Sequence, residues 1–180
     1  MSETMLIMLY DDITTGNTSL IVILDQANDG TGGNGTITFD CMPSGSFVDF
    51  SDDAGELSGA APTFTGNFNW SPCCTDGGII GGITCGNTFT INPNISSGIN
   101  AFSLVYGSTA NPSFVNMPEI NCPITINCGG MSSCCAGAFE FSGSSQNASC
   151  GNTAGGSISL RTTCAATPTN HWSTGAKTPT

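Results

Sequence analysis

Three kinds of side chain in this 180-residue chain could do chemistry: ten cysteines, thirteen acids and a single histidine, His171. The cysteines are Cys41, Cys73, Cys74, Cys85, Cys122, Cys128, Cys134, Cys135, Cys150 and Cys164. A zinc site needs Cys-x2-Cys or Cys-x4-Cys pairs in register with His or further Cys. Only Cys122 and Cys128 come near that spacing, and His171 stands alone. Thiol redox chemistry wants Cys-x-x-Cys beside a cation that stabilises the thiolate. Arg161 and Lys177 are the only two cations in the chain. The Ser-, Thr-, Asn- and Gly-rich surroundings fit a disulfide framework formed in an oxidising compartment. Two cysteine pairs are adjacent, Cys73-Cys74 and Cys134-Cys135. On a strand, successive side chains point to opposite faces, so each member is expected to bridge to a different partner. A bond within the pair is the rarer alternative.

The acids suggest a second chemistry. Asp25-Gln26-Ala27-Asn28-Asp29-Gly30 resembles an acidic calcium loop, with Ala27 in the middle ligand position. Asp49, Asp52, Asp53 and Glu56 form a second oxygen-rich cluster. Hard oxygen ligands favour calcium over zinc. Against this stands the reading of solvated turn acids that keep the chain soluble. No cofactor is required by either reading. Hydrolysis would need a nucleophile, a base and an oxyanion hole, or two positioned carboxylates. The Gly-x-Ser-x-Gly elbow is absent, and nothing in the sequence sets paired acids such as Asp52 and Asp53 across a cleft. No catalytic residue is assigned and the expectation is a non-enzyme.

Charge narrows the partners. Two basic residues against thirteen acids give a net charge of −11. Two cations cannot neutralise a phosphate backbone, so nucleic acid is excluded as a partner. Anionic membrane surfaces are excluded by the same sign. The longest apolar run, Met5 to Tyr10, is too short to cross a bilayer. No signal peptide precedes the cysteines. The expectation is a mature product, an interior fragment of a longer secreted protein, or a protein exported without a classical signal.

The elements that must position these residues are strands. Gly, Ser, Thr and Asn make up nearly half of the chain, and good helix formers are scarce. Short apolar or alternating runs recur between turn residues: 5–10, 19–24, 35–41, 46–50, 62–70, 88–91, 100–106, 113–117, 123–127, 138–141, 157–163 and a short piece at 171–172. The fold class expected is all-β, with disulfide-stapled Ig-like β-sandwich modules in series and negligible helix. Residues 5–10 and 19–24 are apolar at almost every position, so both their faces must be covered; burial on both faces inside their own sandwich is the expectation, and donation to an adjacent subunit the alternative. The intervening 11–17 reads as a hairpin turn. Trp70 and Trp172 read as core anchors rather than sugar platforms. Five Asn-x-Ser/Thr sequons, at Asn17, Asn34, Asn69, Asn94 and Asn147, are expected by chance in such a composition.

A boundary falls at the small-residue connector 129–133. Six cysteines lie up to Cys128 and four after it, the even counts that two separately closed disulfide sets would give. The domain expectation is a sandwich over 1–128 and an incomplete segment over 134–180. Cys150–Cys164 is the preferred single pair within that segment.

The stretch from Ser145 through Asn147, Cys150 and Gly156-Ser157-Ile158-Ser159-Leu160, followed by Asn170-His171-Trp172-Ser173-Thr174-Gly175-Ala176-Lys177-Thr178-Pro179-Thr180, resembles a known repeat. It is similar to the SprB-type repeat of the giant surface adhesins of gliding bacteria, over about residues 144–180. Arg161 to Ala166 departs from the Gly-Gly turn usual there. Less specifically, 52–57 with 69–78 resembles a module of the same class of type IX secreted proteins. The resemblance implies an extracellular, cell-surface adhesin or filament without an enzymatic centre, connected with gliding motility. Its partners would be neighbouring modules, copies of the same protein, or a surface glycan. The alternatives carried forward are a self-assembling filament or virion fibre subunit, and a calcium-dependent glycan-binding module.

Overall fold

Alternation of side chains along each strand sorts this chain into an inside and two outsides. The computed structural model describes residues 2–12, 14–84, 88–108, 111–117 and 119–127, with three further strands at 139–144, 157–161 and 170–173. Every regular element among them is a strand: β1 Thr4–Asp12, β2 Asn17–Leu24, β3 Gly33–Asp40, β4 Phe47–Ser51, β5 Leu57–Ala60, β6 Thr63–Trp70 and β7 Asp76–Ile83. They continue as β8 Thr88–Ser97, β9 Ala101–Ser108, β10 Asn111–Met117, β11 Ile124–Asn127, β12 Phe139–Ser144, β13 Ser157–Arg161 and β14 Asn170–Ser173. Two sheets result, a six-stranded one ordered β10-β9-β1-β2-β7-β4 and an eight-stranded one ordered β14-β13-β12-β11-β8-β3-β6-β5. The all-β expectation without helix stands among the described residues.

The sheets meet through one hydrophobic cluster. Met5, Ile7, Leu20, Val22, Leu24, Phe102 and Leu104 come from the six-stranded sheet. Ile37, Phe39, Phe64, Phe68, Phe89 and Ile91 come from the eight-stranded one. Burying each such side chain contributes roughly 1.5–3 kcal/mol. The β1–β2 hairpin forms where expected, because Asp12 closes its turn: the Gly16 N–H donates to the Asp12 carbonyl (2.7 Å) and the Thr14 N–H to its carboxylate (2.8 Å).

One expectation needs correction. β1 and β2 are not covered on both faces by the described residues. Burial in β2 alternates strictly, with Leu20, Val22 and Leu24 inside while Ile21 and Ile23 are only half-buried. Among the described residues no second layer lies over that face. Two strands had no signal in the sequence reading. β7 carries Gly77, Gly78, Gly81 and Gly82, a composition that ordinarily weakens a strand, yet it pairs with β2 and β4. β5 is only four residues long and joins β6 through the cis Ala61–Pro62 turn.

β12 pairs parallel to β11, and β13 and β14 follow antiparallel. The connector 129–133, the Cys150–Cys164 pair and most of the repeat-like stretch lie outside the described residues.

Candidate functional site

The sequence-predicted acids occupy two places. Asp25 follows β2 in a left-handed backbone conformation (φ 65°) and is buried. Its Oδ1 accepts the Glu3 N–H at 2.6 Å and its Oδ2 accepts the Trp70 indole N–H at 3.1 Å. Trp70 is a core residue, as expected, and its ring fills the space that side chains at Gly33 and Gly98 would need; a Cβ on Gly98 would lie 2.8 Å from it. Asp29 accepts from the Ser2 hydroxyl (2.6 Å) and the Thr31 N–H (2.8 Å). These bonds, the Ser2 one foremost, hold the Asp29 carboxyl below its ordinary range. Both acids of the loop thus tie the N-terminus and the strand ends together.

The second acidic group lies on β4 and the turn after it. Asp49, Asp52 and Asp53 are exposed there. Glu56 turns back toward a residue the sequence reading did not single out, Asp76 at the start of β7. Asp76 is buried and accepts the Asn69 N–H (2.9 Å) and the Gly77 N–H (2.6 Å). Burial, then the neighbouring Asp76 carboxyl, then the charge of Asp53, push the Glu56 carboxyl up to about 7. Its Oε2 is buried with no hydrogen-bond partner. Burial and neighbouring negative charge both favour the neutral form of such a carboxyl. Among the described residues, no three His, Cys, Asp or Glu side chains converge as a metal-binding group.

The adjacent cysteines are also corrected. Cys73 and Cys74 are bonded to each other rather than to different partners. The opposite-face argument requires a strand, and this pair stands in the turn between β6 and β7. That turn docks by backbone on the Asp25 loop: the Asn28 N–H donates to the Cys73 carbonyl (3.0 Å) and the Gly30 N–H to the Pro72 carbonyl (3.3 Å). A ring between neighbours closes almost no chain, so it restricts the unfolded state very little. Replacing Cys73 and Cys74 together by Ser is expected to change stability by less than about 1 kcal/mol, whereas loss of a long-range staple costs about 2–5 kcal/mol. Non-reducing peptide mapping should find 73–74 on a single peptide, two hydrogens lighter than its reduced form and linked to no other. Cys122 is disulfide-bonded too. Cys41 is half-buried in a left-handed conformation (φ 61°) at the end of β3. Cys85, Cys128, Cys134, Cys135, Cys150 and Cys164 lie outside the described residues.

A third arrangement is a surface rather than a point. On β3, Asn34, Thr36, Thr38 and Asp40 face away from the core, and on β6 so do Thr63, Thr65, Asn67 and Asn69. Asn92, Asn94 and Ser96 extend the face along β8. Register sets these residues in cross-strand rows: Ser58, Thr65, Thr38 and Asn92 in one, Asn67, Thr36 and Asn94 in the next. Side-chain bonds knit the rows, Thr36 to Asn67 (3.2 Å), Thr63 to Asp40 (3.1 Å) and Asn92 to Asp40 (2.9 Å). Within each row the hydroxyl and amide groups stand about 4.8 Å apart from strand to strand, each able to donate and accept. Thr-x-Thr at 36/38, 63/65 and 88/90 was the available sequence signal. Asp40 is the one acid in these rows, in a chain of net charge −11.

No family model, no characterised protein and no solved structure matches this chain.

Proposed function

We propose that this chain is a non-enzymatic structural and adhesive segment of an extracellular surface protein. Its adhesive surface is the Thr/Asn face of β5, β6, β3 and β8. The observation that carries the reading is that face: ordered rows of neutral donors and acceptors, nearly free of charge, on an otherwise strongly acidic chain. Neutral hydroxyl and amide groups match the hydroxyls of a glycan, whereas an acidic face would suit a cation or a basic partner. The resemblance of residues 144–180 to adhesin repeats supports a cell-surface location, and the bonded cysteines support an oxidising compartment. Ig-like modules in series, stapled by further disulfides, would project such a face from the cell.

Co-sedimentation of the full chain with insoluble neutral polysaccharides tests this. Retention on at least one of them is expected, and Thr36→Val with Asn67→Ala and Asn94→Ala should weaken it about tenfold or more while leaving circular dichroism unchanged. Absence of retention on every polysaccharide, or equal retention by the folded variant, would overturn the reading.

A further inference from the structure

We propose that the outward face of the six-stranded sheet is the interface through which two copies of this chain pack. This rests on a different sheet from the Thr/Asn face and stands or falls independently of the adhesive reading. Cross-strand register places Phe114 beside Val105, Val105 beside Met8, Met8 beside Ile21, Ile21 beside Ile79, and Ile79 beside Phe50. One apolar row therefore crosses all six strands from edge to edge. Leu6 and Ile23 pair in the next row, and Phe47 lies over Gly81, whose Cβ would meet its ring at 2.9 Å. No Asp, Glu, Lys or Arg stands in the main row.

These side chains are not core. Phe47 is 52%, Phe50 51% and Phe114 44% exposed, and Tyr10 on the same face is 40% exposed. Met8, Val105, Ile21 and Ile79 are half-buried. Soluble monomers rarely leave so continuous an apolar patch open.

Area and symmetry select a second copy as the occupant. Six strands about 4.8 Å apart and some eight residues long cover roughly 600 Å² on each copy, or about 1,200 Å² in total. That reaches the lower end of stable protein–protein interfaces, at about 1,200–2,000 Å². The row is aromatic at both ends and aliphatic in the middle. A two-fold axis along the central strands sets the aromatic end of one copy against the aromatic end of the other, and aliphatic against aliphatic. Sheets pack face to face at about 10 Å in this way inside sandwiches. The charge of −11 on each copy opposes association, so added salt should strengthen the dimer by screening that repulsion.

Sedimentation equilibrium of the full chain tests the proposal. The expected mass is twice 18.3 kDa, with a dissociation constant that falls as sodium chloride is raised. Phe50→Ser and Phe114→Ser change half-exposed side chains on the two edge strands and leave the core intact. Each should weaken the dimer by about thirtyfold. Met8→Lys should abolish it, with circular dichroism reporting the fold. A wild-type monomer at every concentration overturns the proposal, and if Met8 is then protected from oxidation, another part of the same chain covers the face. A dimer that survives both phenylalanine substitutions overturns it equally.

Discussion

Asp25→Ala is expected to lose about 3–5 kcal/mol of stability. The reasoning starts from what the carboxylate holds. Its two oxygens take donors from segments far apart in sequence, the Glu3 N–H before β1 and the Trp70 indole N–H at the end of β6. Asp25's own N–H donates to the Thr4 carbonyl at 3.0 Å, so the residue joins the ends of three strands. Alanine leaves the indole N–H and the Glu3 N–H without acceptors in a buried place, each worth about 1–3 kcal/mol as lost desolvation, and removes bonds strengthened by charge. Trp70 is buried, and the Cζ2 edge of its ring packs against Gly33 and Gly98. Asp25→Asn should cost about half as much, since its amide keeps one acceptor and turns a donor toward another donor. Urea unfolding read by Trp fluorescence and circular dichroism measures both. In a Trp70→Phe background, which removes the indole donor, Asp25→Asn should cost distinctly less than it does alone. The same losses in chelator and in calcium identify an intramolecular clamp; a loss seen only with calcium present would make Asp25 a ligand instead. An Asp25→Ala loss below about 1 kcal/mol would remove the clamp altogether.

Much of this architecture is readable from pattern, and the failures have physical causes. β3 and β6 announce themselves because Ile37, Phe39, Phe64 and Phe68 alternate with Thr and Asn. β7 does not, because glycine offers no side chain to alternate; its strand character comes from β2 and β4 on either side. The run Met5 to Tyr10 correctly signals a strand, but apolar composition alone cannot distinguish a face covered by its own chain from one left for a neighbour. Cys73-Cys74 misleads because the opposite-face rule depends on an extended backbone, and the turn that breaks it is set by docking against Asn28 and Gly30. The Asp25–Trp70 and Glu56–Asp76 pairs are long-range in sequence, and no local spacing marks them. In each, one member was visible as an acid in a loop. Its partner emerged only when β6 and β7 were set beside that loop.

The Glu56–Asp76 pair makes stability fall as pH rises through neutrality. Glu56 faces the Asp76 carboxyl, which accepts the Asn69 and Gly77 N–H groups. Protonated, Glu56 can donate to Asp76; ionised, it places a second negative charge beside Asp76 and Asp53 in a poorly solvated corner. Its folded value is raised to about 7 from an ordinary 4.5, so the folded chain binds the proton more tightly than the unfolded chain. The associated stability is fully present below the unfolded value and is lost progressively until the folded value is passed. Because Glu56 keeps some contact with solvent, the loss between about pH 5 and pH 8 is expected to be on the order of 1–3 kcal/mol. At lower pH two acids act in the opposite sense. Asp12, bonded to the Thr15 hydroxyl and the Thr14 N–H, and Asp29, bonded to the Ser2 hydroxyl, are both held below their ordinary range, and their contributions fade as they protonate. Stability should therefore peak on the acid side of neutrality. The general repulsion of a −11 chain has the same sign as the Glu56 effect, so the decisive comparison is Glu56→Gln against wild type. Glutamine keeps a donor for Asp76 at every pH. It should flatten the urea midpoint across the window and raise stability at about pH 8, while leaving it nearly unchanged at about pH 5. A wild-type slope that persists in full in Glu56→Gln would assign the pH dependence to the acid surface as a whole and remove Glu56 as its source.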